Sequence, residues 1–212
     1  MSEPIVEFRK RIEECRERCA VFEYLDATVT VPIEYSDILR AQVVNIISAL
    51  DTYVHNIVQL GVMNAFHGKS AATSALLNEK ISVRDFLFVA GQVDSAEQVF
   101  SDFIKNKTGY QSFQSPDSIS AALALVSAAP NKWKLIADEI SLSRDTAISQ
   151  LNLIVQRRNG IAHECDIDPI SGDKFPLTLS ECRRTVDFVA SVVDAIESQI
   201  GAAITYIARH VK

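Results

Sequence analysis

Apolar side chains recur every three or four residues along most of the 212-residue chain, which is the spacing of one face of an α-helix. The longest such segments span residues 36–66 and about 178–210. Seven Gly and six Pro are too few to supply the frequent turns of an all-β protein. The pattern therefore predicts an all-α protein, a bundle of long antiparallel helices with a short helical insertion.

The remaining elements follow from the same spacing, interrupted by turn-forming residues. A helix over about 4–25 precedes an extended linker that ends at Pro32. Further segments with helical spacing are 82–105, 118–128, 131–140 and 144–164. The first of these could form one or two helices, with Asp94 or Ser95 as a cap. Loops are predicted at 107–118 and 166–176. The length favours a single domain over 1–212, with the N-terminal helix and linker at 1–30 and the core bundle at about 36–210.

Charge and cysteine content restrict the function classes. The formal net charge is −6 and the pI is about 5.2, so nucleic-acid binding is expected only at a local site. Four cysteines without a CxxC pair predict reduced, mainly buried thiols. The sequence shows no signal-peptide pattern and no apolar stretch of membrane-spanning length, so we expect a cytoplasmic protein without a membrane partner.

Several motif-like segments lack the residues that their chemistry needs. HGKS at 67–70 has no glycine at the required upstream position of a phosphate loop, so Gly68 is predicted to end a helix. DIDPISGD places Ile170 at a calcium-ligand position and is predicted to form a turn. His163 and Cys165 alone do not make a zinc site. Neither a metal nor a cofactor is expected.

The segment 133–154 leaves a helix-turn-helix interpretation open. Its small and apolar positions would be Ala137, Ser141 and Ala147. The recognition helix would offer three side chains to the bases: Arg144, Ser149 and Gln150. Eight basic and eight acidic residues over 130–184 leave this part of the chain neutral, so two helices of a bundle are the favoured interpretation.

The segment QRRNGIAHECD at 156–166 places two adjacent arginines on different sides of a helix. At about 100° per residue, Arg158 falls within the apolar arc, whereas Arg157 falls on the solvated side. A buried guanidinium without a partner is strongly unfavourable, so Arg158 must meet a carboxylate, a phosphate or a wet cleft. One alternative is structural: Arg158 pairs with a buried acid such as Asp51, and His163 caps the helix.

Arg158-Asn159-x-x-x-His163 resembles the Arg-x4–6-His signature of the HEPN superfamily (higher eukaryotes and prokaryotes nucleotide-binding). The longer string RRNGIAHE, which ends at Glu164, is similar to the RN-x-IAH-E/G form of that signature. LDTYVHNI at 50–57 resembles the acid-x-Tyr stretch of groups related to the RiboL-PSP type. Asp51 and Tyr53 map onto that stretch.

The resemblance implies a HEPN-type bundle that acts as a metal-independent endoribonuclease, a homodimer with both motifs in a shared cleft. Arg158 would hold the scissile phosphate, His163 would transfer protons, and Asn159 would orient either group. The supporting acids would be Asp51 and Glu164. The expected products are a 2′,3′-cyclic phosphate and a 5′-hydroxyl.

The resemblance also implies a toxin or antiphage-defence effector with an antitoxin or sensor protein as partner. Some HEPN toxins carry a modifiable Tyr two residues after the His, where this chain has Cys165. A catalytically silent module that binds RNA, nucleotides or a protein is the alternative within the family.

Overall fold

The computed structural model describes residues 2–31, 34–91 and 96–201, and these residues form an all-α structure, as predicted. The helices are α1 (Glu3–Thr28), α2 (Asp37–Phe66), α3 (Ser74–Leu77), α4 (Val83–Gly91), α5 (Ala96–Thr108), α6 (Pro116–Ala124), α7 (Lys132–Glu139), α8 (Arg144–Glu164) and α9 (Leu179–Ile196). A π-helical turn, Glu197–Gly201, continues α9. None of the described helices combines the length and the apolar character needed to cross a membrane.

Serine and threonine side chains define where several helices begin. The hydroxyl that precedes α1, α3, α6, α8 or α9 accepts a hydrogen bond from a backbone N–H of the first turn: Ser2, Thr73, Ser115, Ser143 and Thr178. The helix predicted from Ser118 begins earlier, because Ser115 caps it and Pro116 occupies its first position.

The long helices α1, α2 and α9 form the centre of the molecule. Three exposed ion pairs mark the antiparallel register of α1 and α9: Arg9–Asp194, Arg16–Asp187 and Glu23–Arg183 (2.8, 3.0 and 2.6 Å). Helix α2 also packs against α5, α6 and α8, so its apolar residues are buried on several sides rather than along one stripe. Its fully buried side chains include Leu39, Ile46, Ile47, Leu50, Val54 and Ile57.

Glu197 joins the start of α1 and the middle of α2 to the end of α9. Its carboxylate accepts hydrogen bonds from the backbone N–H and the hydroxyl of Ser2 (3.0 and 2.8 Å) and from the hydroxyl of Tyr53 (3.1 Å). Burial of Tyr53, reinforced by the negative charge of Glu197, raises the pKa of the phenol well above its usual value. Tyr53 therefore stays protonated and acts as a hydrogen-bond donor.

The short helices α3, α4 and α5 lie between α2 and α6 and form the helical insertion. The rings of Phe66 and Phe100 stack at 4.7 Å, and the amide of Gln59 donates to the hydroxyl of Ser101 (2.8 Å), which fixes α5 on α2. Gly68 follows the end of α2 with a φ of +66°, which confirms the predicted helix-ending role.

Several predicted boundaries differ from the structure. Helix α1 continues to Thr28 and α5 to Thr108, so the loop predicted at 107–118 is shorter. The predicted last helix changes to π-helical geometry after Ile196. The predicted positions at Pro32, Asp94, Ser95 and 202–210 lie outside the described residues.

Replacing Tyr53 with Phe removes the buried hydroxyl and leaves one oxygen of Glu197 with fewer donors. We expect the free energy of unfolding to fall by about 1 kcal/mol, measured by urea denaturation followed by circular dichroism. Tyr24→Phe is the matched control, because Tyr24 is 69% exposed. An equal loss in both variants would show that the contact with Glu197 contributes nothing.

Candidate functional site

The Arg-x4-His motif lies in the last two turns of α8. This helix packs on α2 and α7, and its buried side chains are Ala147 and Leu151. Beyond Leu151, no side chain of α8 is buried. The half of α8 that carries the motif is therefore covered on one side only and presents its other side to solvent.

Arg158 is half-buried and has no acidic partner among the described residues. Its Nη1 donates to Oδ1 of Asn159 (3.1 Å), and its Nε is buried without a hydrogen-bond partner. Asp51 instead accepts hydrogen bonds from the backbone N–H of Phe113 (2.6 Å) and the side-chain amide of Gln114 (3.3 Å). The structural alternative, in which Arg158 pairs with Asp51, is wrong for the single chain, because Asp51 faces the segment that precedes α6.

The acid-x-Tyr stretch of α2 supports the fold instead of the motif. His55, one turn after Asp51, packs its ring on Phe113 (centroids 4.4 Å apart), and its Nε2 lies 3.7 Å from Oδ1 of Asp51. Tyr53 binds Glu197. Neither Asp51 nor Tyr53 makes a hydrogen bond or an ion pair with a motif residue within the described chain.

Three motif side chains are exposed at the end of α8: Asn159, His163 and Glu164. Asn159 and His163 are one turn apart and lie on the same face. The helix is closed by the backbone, since the N–H groups of Cys165 and Asp166 donate to the carbonyl of Gly160. The proposed capping by His163 is therefore wrong, and its imidazole makes no hydrogen bond to any residue that the structure describes.

The surface between Arg158 and His163 is open. A Cβ atom added at Gly160 would meet no atom within 4 Å apart from the neighbouring residues and the backbone of α8 itself. Five positions on a regular helix separate the two side chains by about 140° in direction and about 7.5 Å along the axis. A ligand that touches both groups must therefore reach around the end of the helix.

The strongest ionic contact at this end of the molecule involves residues that the sequence analysis missed. Asp166 is only 2% exposed, and its Oδ2 accepts hydrogen bonds from Nε of Arg40 and Nη2 of Arg157 (both 2.8 Å). Both guanidinium groups also donate to the carbonyl of Phe175 (2.6 and 3.0 Å). One buried carboxylate thus joins the start of α2, the end of α8 and the loop 166–176.

The prediction that Arg157 is solvated is correct only in part, because its side chain is 29% exposed and pairs with a buried acid. The loop after α8 folds back and brings Asp166 to the polar side of the helix, and the guanidinium of Arg157 lies 5.5 Å from the ring centre of Phe175. A helical wheel of α8 alone contains no information about this loop. Arg40 was the sequence signal that could have indicated this ion pair. It follows Leu39 within the buried stripe of α2, and a buried arginine needs an acidic partner.

The charge at the end of α8 favours an anionic ligand. Arg40 and Arg157 share the carboxylate of Asp166, and Arg40 also lies 3.7 Å from the exposed carboxylate of Asp37. Arg158 has no acid partner among the described residues, although the exposed Glu164 follows His163. Within residues 2–31, 34–91 and 96–201, no group of three His, Cys, Asp or Glu side chains is arranged to hold a metal ion.

The helix-turn-helix spacing corresponds to the packing of α7 against α8. Ala137 and Ala147 are buried, and Ser141 adopts a left-handed conformation (φ +57°) in the turn between the helices. Arg144 pairs with its neighbour Asp145 (3.1 Å). This packing agrees with the favoured interpretation of two bundle helices, and duplex DNA binding by α8 stays an untested alternative.

Replacing Asp166 with Asn leaves two guanidinium groups around a neutral amide. We expect the free energy of unfolding to fall by about 3 kcal/mol, because the buried charge of Arg40 loses its counter-charge. Urea denaturation checks this value. Asp168→Asn in the same loop keeps an oxygen acceptor for the N–H of Ile170, so its expected change is below about 0.5 kcal/mol. Similar losses in both variants would contradict the special role of Asp166.

Comparison with known proteins places the chain in a family. The family model described as RiboL-PSP-HEPN matches residues 10–202. The match spans α2 and α8 and includes the segment from Arg158 to His163. Searches of curated proteins and of solved structures found no match. Because the family model matches most of the chain, the chain belongs to the RiboL-PSP-HEPN family.

Proposed function

We propose that this protein is a metal-independent endoribonuclease whose active site is built on Arg158 and His163. The observation that carries the proposal is their environment: Arg158 has no acid partner among the described residues, and the imidazole of His163 is exposed on the same end of α8. Arg158 does not pair with Asp51, and His163 does not cap α8, so the structural alternatives for both residues fail. The family also contains many ribonucleases. A role as a toxin or defence effector stays a prediction from the resemblance.

Arg158 is suited to bind the scissile phosphate. A guanidinium presents several N–H donors in one plane and stabilises charge that develops on phosphate oxygens. The hydrogen bond from its Nη1 to Asn159 limits the orientations of the group. Asn159 therefore acts as a positioning residue for Arg158 in this proposal.

His163 transfers protons in this proposal. In the proposed reaction, the imidazole accepts the proton of an RNA 2′-hydroxyl, and the 2′-oxygen attacks the adjacent phosphorus. The bond between phosphorus and the 5′-oxygen breaks, and that oxygen receives a proton. The products are a 2′,3′-cyclic phosphate and a 5′-hydroxyl, and the reaction consumes no cofactor.

We further propose that the active enzyme is a homodimer. One chain provides one motif histidine, whereas the reaction needs both a base and an acid. Arg158 and His163 of one helix also point in directions about 140° apart. A second copy across the exposed face of α8, where Leu153 is 66% exposed, would bring two motifs into one cleft.

Incubation with total RNA in EDTA tests the cleavage proposal. We expect the unaltered protein to cut RNA and to leave 2′,3′-cyclic phosphate ends, identified by end-specific labelling. His163→Ala and Arg158→Ala should each lower the rate at least about 100-fold, since one removes the proton carrier and the other removes the phosphate ligand.

Two substitutions serve as matched controls. His67→Ala removes a histidine that pairs with Glu97 on the insertion, and Arg144→Ala removes an exposed arginine of α8 itself. Both variants should cut RNA at the normal rate. RNA binding without cleavage would favour the silent binding module, and duplex DNA binding that survives both motif substitutions would favour the helix-turn-helix interpretation.

Substitution of Leu153 with Asp tests the dimer. We expect analytical ultracentrifugation to show a dimer for the unaltered protein and a monomer without RNA cleavage for Leu153→Asp, because a charge is unfavourable in a buried interface. Leu77→Asp, at a position 73% exposed in α3, should stay dimeric. A monomer that cleaves RNA at normal rates would refute the dimer proposal.

A further inference from the structure

A pair of buried thiols joins α1 to α9 outside the candidate active site. The Sγ atoms of Cys19 and Cys182 are 3.6 Å apart, and the two residues are 1% and 0% exposed. With Leu39 they form an apolar cluster that is separate from the main core. The partly buried side chains around this cluster are Phe22, Leu177 and Leu179.

The thiol pair lies at the end of the bundle that carries the RNase motif. Sγ of Cys182 is 3.6 Å from the carbonyl oxygen of Leu39. The next residue, Arg40, binds Asp166 at the end of α8. A change in the packing of this cluster would therefore affect the position of Arg40, which binds the end of α8 through Asp166.

Cys19 is the more acidic of the two buried thiols of α1. The hydrogen-bonded contact with the thiol of Cys182, together with the nearby charge of Arg183, lowers the pKa of Cys19 despite its burial. Burial raises the pKa of Cys15 to about 11. Because the thiolate is the reactive form, the local environment favours reaction at Cys19 over reaction at Cys15.

We propose that Cys19 and Cys182 form a reversible disulfide bond when the folded protein meets a peroxide. The sulfurs are already in contact, and their distance has to shorten to about 2.05 Å. Because both sulfurs are buried, the peroxide enters through local opening of this end of the bundle.

The reaction balances with hydrogen peroxide as the oxidant. The Cys19 thiolate attacks one peroxide oxygen, the O–O bond breaks, and hydroxide leaves to become water, which gives a sulfenic acid on Cys19. The sulfur of Cys182 loses its proton and attacks the sulfenic sulfur, and a second water leaves. Two thiols lose two electrons in total, and one peroxide is reduced to two waters.

The bond would connect helices that are distant in sequence. It closes a loop from residue 19 to residue 182, so it restricts the unfolded chain strongly. We expect the oxidised protein to melt on the order of 10 °C above the reduced protein. The bond would also hold α1 and α9 together next to Arg40.

Peptide mapping of the full chain tests the proposal. The protein carries Cys165→Ser, because Cys165 is the exposed thiol and would form bonds between molecules. It is treated with hydrogen peroxide, quenched with catalase, alkylated in denaturant and digested without reduction. We expect mass spectrometry to find the Cys19 and Cys182 peptides joined and dithiothreitol to separate them, with the melting temperature falling back.

Variants of the three buried cysteines provide the controls. Cys15→Ala removes a buried thiol one turn before Cys19 and should keep both the linked peptides and the gain in melting temperature. Cys19→Ala and Cys182→Ala should lose both. The linked peptides are also measured in the protein that carries only Cys165→Ser and retains all three buried cysteines. The test therefore does not depend on the folding of the other variants. Unmodified thiols, a sulfinic acid at Cys19 without a linked peptide, or a bond to Cys15 would each overturn the proposal.

Discussion

The carboxylate of Asp166 is the contact on which the geometry of the motif depends. The second half of α8 has no fully buried side chain, and its apolar residues Ile154 and Val155 are only partly buried against the main core. Its last turn is held instead by hydrogen bonds to the carbonyl of Gly160 and by the two guanidinium groups around Asp166. Arg40 of α2 therefore helps to place the helix end that carries Arg158 and His163. Several charge-assisted hydrogen bonds offset the cost of removing these charges from water.

The two adjacent arginines of α8 have different functions because they lie about 100° apart around the helix. Arg157 faces the returning loop and holds the carbonyls of Phe175 and Pro176 as well as Asp166. Arg158 is also half-buried, but its guanidinium makes one hydrogen bond, to Asn159, and pairs with no acid among the described residues. This division gives an acidic protein a local positive site. Under the proposed function, such a site selects RNA segments that reach the helix end over polyanions that meet the general surface.

Much of the fold could be predicted from the sequence because helical spacing and capping residues are local signals. The spans of α2, α7 and α8 agree closely with the predicted segments. The Arg-x4-His motif was found from a short string of residues. The partners of Arg157 and Asp51 could not be predicted, because each comes from a loop that folds back from elsewhere in the chain. The contact between Cys19 and Cys182 likewise depends on the register of two distant helices.

Dissolved salt affects the buried and the exposed charges of this protein differently. Asp166 and Arg40 are almost fully shielded from water, so dissolved ions screen their attraction weakly. The exposed ion pairs between α1 and α9 and the attraction of a polyanion to the surface are screened much more. Under the proposed function, rising ionic strength therefore weakens the binding of RNA, while the buried ion pair keeps the end of α8 in place.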